Sequence, residues 1–83
     1  MTLHIGGNTV VPMKSIIAII DLEAVEESII NKEFMQVAKD EGFVVKVLDE
    51  GVKSLVLTEY KKETVIYVSP ISSTTLLKRS TFV

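Results

Sequence analysis

The chain has no cysteine, no tryptophan and a single histidine in its 83 residues. Without thiols it forms neither a disulfide nor a thiolate metal site, and His4 alone cannot build a structural zinc centre, which takes four nitrogen or sulfur ligands. Long hydrophobic runs are missing as well. The longest, Ile16-Ile17-Ala18-Ile19-Ile20, is far short of the roughly 20 apolar residues that a helix needs to cross a bilayer. The opening "MTLHIGG" lacks the basic end and long apolar stretch of a signal peptide, so a cytoplasmic location is expected. Repeats, low-complexity tracts and linkers are absent too, which points to one domain over residues 1–83.

What is present is an apolar excess. Hydrophobic residues make up 47% of the chain and the mean hydropathy is +0.38. A domain this small buries only about 60% of the surface that its unfolded chain exposes. Self-association is the simplest outlet for the remainder. The net charge of −2 conceals a polarity along the chain. Between Asp21 and Glu41 seven acids stand against two lysines, so the strand-rich remainder carries seven bases against four acids. Segregation of this kind is most often a solvated helix face.

The first third reads as short strands. Leu3-His4-Ile5 and Thr9-Val10-Val11 flank Gly6-Gly7-Asn8, residues that readily take positive φ, so a hairpin fits. Pro12 ends the second strand because it has no amide hydrogen for a ladder. Ser15 to Ile20 is apolar after the serine, which suits a strand buried on both faces. In the middle, Ile30, Phe34, Val37 and Ala38 follow helical spacing, with Lys32, Glu33, Gln36, Lys39 and Asp40 on the other side. Ser28 is a candidate N-cap and Gly42 a candidate left-handed terminator; Asp21 to Glu27 fits either a loop or an extra helical turn. Three further strands are expected over Phe43 to Leu48, Lys53 to Thr58 and Thr64 to Val68, joined by "DEG" and "EYKKE".

The stretch "VSPISSTTLLKRSTF" raises the question of a phosphate-gripping loop. A phosphate cradle takes a glycine-rich backbone or a Walker-type motif, and neither is there. Pro70 cannot lie inside a central strand, and Ser72 or Ser73 ahead of Thr74-Thr75-Leu76-Leu77-Lys78-Arg79 makes a good N-cap for a short helix with a basic end. The hydroxyls account for a helix start.

Catalytic chemistry has little to work with, and no enzyme activity or cofactor is expected. General acid–base catalysis takes paired carboxylates or a partnered histidine, whereas Glu26-Glu27 and Asp40-Glu41 read as exposed helix charge. His4 alternates with Leu3 and Ile5 and points out of the hairpin. Gly6-Gly7 opens no helix and is no dinucleotide fingerprint, and Ser15 has no base nearby in sequence. Lysines are the remaining candidates. Lys14 stands at the mouth of a strand, Lys53 just past the "DEG" turn, and Lys61-Lys62 in a strand connection. Point charges at strand ends neutralise phosphates without reading bases, although any one such lysine is more often merely solvated.

The order "HIGGNTVVPMKSIIAIID", "FMQVAKDEGFVVKV", "KSLVLT" and "VSPISSTTLLKR" resembles the RemA/RemB family of small bacterial extracellular-matrix regulators, nearest its RemB branch. The resemblance spans nearly the whole chain, and "IGGNTVVPMKSIIAI" and "SPISSTTLLKR" are its most specific pieces. It implies a cytoplasmic regulator of biofilm matrix genes that forms rings and lets double-stranded DNA run along a basic surface. Lys14 falls where RemA-type members have an arginine ahead of the apolar strand, and Lys53 near the arginine that opens the following strand. The family's paired arginines in the preceding turn are replaced by Asp49-Glu50-Gly51, and an acidic turn repels phosphate.

The expected fold is therefore α+β: a small antiparallel or mixed sheet of about six short strands, one central helix and a short C-terminal helix, assembled as a cyclic homo-oligomer. The expected function is an oligomeric DNA-binding transcriptional regulator with Lys14 and Lys53 on phosphates, with no metal and no membrane partner. The alternative is an oligomeric protein-interaction module without direct DNA contact, which a sequence pI near 5.3 favours on composition alone.

Overall fold

Two glycines start the architecture. Gly6 and Gly7 take φ of +125° and +51°, conformations that cost glycine little, and they fold strand β1 (Thr2–Gly6) back on β2 (Thr9–Pro12) as an antiparallel hairpin. Pro12 is the last residue of β2, as its missing donor dictates. The computed structural model describes residues 1–23, 29–48 and 51–80. The expected cap at Ser28, the acidic pair Asp49-Glu50 and the C-terminal Thr81-Phe82-Val83 lie outside the described residues, as do most of the 21–27 stretch and the Ile30 side chain.

After a 3-10 turn at Met13–Ser15 come β3 (Ile16–Asp21), helix α1 (Ile29–Asp40), β4 (Val44–Lys46), β5 (Ser54–Tyr60), β6 (Glu63–Ser69) and helix α2 (Ser73–Ser80). The six strands form two sheets where one was expected: the hairpin stands apart, and the others make a four-stranded sheet in the order β3-β5-β6-β4. Pro12 and the 3-10 turn cause the split, since they interrupt pairing and carry the chain to a second layer. The larger sheet is mixed, with β4 parallel to β6 and the other pairs antiparallel.

Both faces of this sheet are covered. On one, Val56 of β5 packs with Leu3 and Ile5 of β1, Val11 of β2 and Leu76 of α2. On the other, Leu55, Ile66 and Val68 pack with Ala38 of α1. Consecutive β5 residues thus feed opposite cores, which is why "SLVL" is apolar without alternation.

Gly42 closes α1 as expected. At φ +79° it allows Phe43 N–H to donate to Ala38 O (2.9 Å) and Gly42 N–H to Lys39 O (3.1 Å), the paired bonds of a Schellman motif. At α2, Ser72 is the cap: its Oγ accepts the Thr75 N–H at 3.2 Å.

Three further expectations need correction. The strand after Ser15 is not buried on both faces, because β3 is an edge strand with a bulge between Ile16 and Ala18, and Ile17 is left 57% exposed. On α1 the covered stripe runs through Ala38 and half-buried Met35, while Phe34 and Val37 are 49% and 59% exposed. Helical spacing gave the apolar side, but the sheet beneath is wide enough to cover only part of it. β4 is also shorter than expected, three residues instead of the span Phe43 to Leu48.

Candidate nucleic-acid interface

Lys14 is presented by the 3-10 turn. The Ser15 hydroxyl folds inward and donates to Pro12 O at 2.7 Å, which buries Ser15 and leaves its neighbour Lys14 exposed. Lys53 is held through its backbone: its N–H donates to Ser69 O at 2.9 Å, and its carbonyl accepts the Leu22 N–H at 3.1 Å. The Lys53 side chain is exposed beside an open depression of about 420 Å³ shared with Asp21, Glu23, Ser72 and Ser73. The two carboxylates make that end of the sheet a poor place for an anion.

These two lysines are not brought together within one chain. β3 runs antiparallel to β5, with Ile16 opposite Thr58 and Asp21 opposite Ser54. Lys14 precedes Ile16 and Lys53 precedes Ser54, so they stand at opposite ends of the strand pair. At roughly 3.4 Å per residue, Ser54 to Thr58 alone spans about 14 Å.

Lys61 and Lys62 share the Lys14 end. They form the two-residue link between paired Tyr60 and Glu63, with φ of +50° and +69°. Positive φ at both positions is the pattern of a type I′ hairpin turn, which normally selects Asn-Gly. A left-handed non-glycine residue costs roughly 1–2 kcal/mol. The Lys61 ammonium lies 5.4 Å from the centroid of the Tyr60 ring, within cation–π range. Sequence reasoning counted these lysines among the candidate phosphate contacts, in a strand connection, but nothing in "YKKE" signals a tight turn.

His4 has a structural task. Its Nε2–H donates to Gly7 O at 2.8 Å, and Arg79 of α2 donates to His4 O at 3.2 Å and directs Nη1 at His4 Nδ1, 3.5 Å away. The His4 ring and carbonyl thus tie β1 to its own turn and to α2. The His4 side chain is exposed on β1, as the alternation with Leu3 and Ile5 implies, but a contact across 75 residues has no local signal. Among the described residues, no cluster of three or more histidine, aspartate or glutamate side chains is placed to hold a metal ion.

The model of the RemA-like family, described as extracellular matrix regulatory protein A-like, matches residues 2–79. The chain belongs to the RemA-like family. It is also 37% identical over 82 residues to the extracellular matrix regulatory protein B of Bacillus subtilis (strain 168), a match that takes in 99% of this chain and 93% of that protein. The RemA-like match takes in the hairpin, the four-stranded sheet, α1 and α2 as far as Arg79. Among the described residues of this RemA-like chain, no helix is long and apolar enough to cross a membrane.

Proposed function

We propose that this RemA-like protein is a cytoplasmic transcriptional regulator of extracellular-matrix genes that binds double-stranded DNA as a cyclic homo-oligomer. The observation that carries this reading is the full-length likeness to a protein named as an extracellular matrix regulator. Lys14 and Lys53 are the proposed phosphate contacts. Both are exposed, and among the described residues neither is drawn into an ion pair. A single chain with a net charge of −2 binds a polyanion weakly. Repetition around a ring offsets this, because linked weak sites act at a high effective concentration. The pI near 5.3 favours a second reading, an oligomeric protein-interaction module that does not touch DNA.

Duplex binding measured across salt, with native mass on the same samples, separates the two. The regulator reading expects an assembly larger than a dimer, binding that weakens linearly in log salt, and a uniform loss over all sequences for Lys14→Ala or Lys53→Ala. A 9.2 kDa species at micromolar concentration removes the ring. No salt-dependent binding to any duplex at low ionic strength removes the DNA reading and leaves the interaction module.

A further inference from the structure

Resting on the DNA-binding reading above, we propose that the β5–β6 hairpin tip, Lys61-Lys62, is a phosphate-backbone contact and forms one pole with Lys14. Three observations converge on it. The chain places two lysines where asparagine and glycine fit without strain, since both residues have positive φ, and a persistent backbone outlier in a folded domain is a pointer to function. The register places Lys14 at the same end of the sheet: Ile16 lies opposite Thr58, and Tyr60 opposite Glu63. A shared cleft lined by Pro12, Ser15, Thr58, Tyr60 and Glu63 joins the 3-10 turn to this tip.

Charge sorting along the sheet agrees. The far end sets Asp21 and Glu23 beside Lys53. The tip sets three exposed lysines against Glu59 and Glu63, and Lys61 is steered by the Tyr60 ring. A two-residue turn is also the narrowest projection a sheet can make, and it suits a backbone contact that carries no base readout. The ligand class is the phosphodiester backbone of a duplex.

The test is the double variant Lys61→Asn/Lys62→Gly, which removes both charges while supplying the residues that a type I′ turn favours. A comparator, Lys32→Ala/Lys39→Ala, takes the same net charge from exposed positions on α1. Parent and variants are titrated against a short mixed-sequence duplex over a salt series, with thermal unfolding and native mass measured alongside. The proposal expects the tip variant to keep the parent's assembly size, melt higher and bind more weakly. Its log affinity against log salt should flatten by about 0.9 for each phosphate no longer neutralised within the bound footprint, while the comparator keeps the parent's slope. An unchanged slope in the tip variant overturns the proposal while leaving DNA binding intact. Equal flattening in both variants overturns it too, since net charge alone then explains the weaker binding. Absence of duplex binding by the parent overturns the DNA reading and the tip proposal with it.

Discussion

Ser69→Ala is the sharpest test of how the two sheets are held together. The Ser69 side chain is fully buried, and its Oγ donates to Ile5 O at 2.6 Å across 64 residues of sequence while accepting the Ile71 N–H at 3.0 Å. Ile5 sits where the β1–β2 register shifts between His4 and Gly6, so its carbonyl depends on a donor from outside the hairpin. Removing the hydroxyl strands that buried carbonyl at a cost of about 1–3 kcal/mol, and the Ile71 bond adds about 1 more. The expected loss is thus about 2–4 kcal/mol, against about 4–12 for a domain of this length at 0.05–0.15 kcal/mol per residue. Ser54 is the internal comparison: it lies directly opposite Ser69, is equally buried, and makes one side-chain bond, to Ile71 O at 2.6 Å. Its alanine variant should lose about half as much, about 1–2 kcal/mol. Urea unfolding at fixed subunit concentration reads both as midpoint shifts at constant slope. If Ser69→Ala loses no more than Ser54→Ala, the hydroxyl is not the tie between hairpin and sheet.

Two further predictions come from the turns and caps. Gly6→Ala should destabilise far more than Gly42→Ala in the same denaturation assay. A Cβ on Gly6 meets Pro70 side-chain atoms at 2.8 Å in addition to the φ +125° strain, whereas one on Gly42 meets nothing within 4 Å and costs only about 1–2 kcal/mol of left-handed backbone. Ser72→Ala should cost about 0.5–2 kcal/mol by uncapping α2 and leave duplex affinity per folded assembly unchanged; a large affinity loss at normal stability would mean that the hydroxyls of this segment touch a ligand.

Local chemistry was legible where the residue itself dictates the backbone. Gly6-Gly7-Asn8, Gly42, Pro70 and the pair Ser72-Ser73 announce a turn, a helix end, a strand end and a cap, and each is found, with Ser72 as the cap. What stayed hidden depends on neighbours distant in sequence. The run from Ile16 to Ile20 reads as doubly buried because composition does not distinguish a central strand from an edge strand, and the order β3-β5-β6-β4 puts it at the edge. Phe34 and Val37 carry the same helical signal as Ala38, yet the sheet reaches only the latter side of α1. Lys14 and Lys53 were visible as charges. Their placement at opposite sheet ends follows from the antiparallel β3–β5 register, which no local pattern encodes.

The exposed apolar residues and the charge imbalance bear on the same proposed assembly. β3 and β4 are opposite edges of one sheet, and each leaves an apolar residue uncovered, Ile17 at 57% and Val45 at 44% exposure. Open apolar edges invite unlimited association, and a heterologous contact that closes on itself limits it. Cyclic symmetry also presents the same pole of every copy in the same direction along the axis. A pole bearing Lys14, Lys61 and Lys62 against two glutamates is weak in one copy, and the proposed ring would repeat it in every subunit. Lys53 stands with Asp21 and Glu23 at the opposite sheet end, so its proposed phosphate contact is a separate one, off that pole. In the proposed ring, a chain with a net charge of −2 can hold a polyanion because the assembly sorts charges that the single chain merely sums.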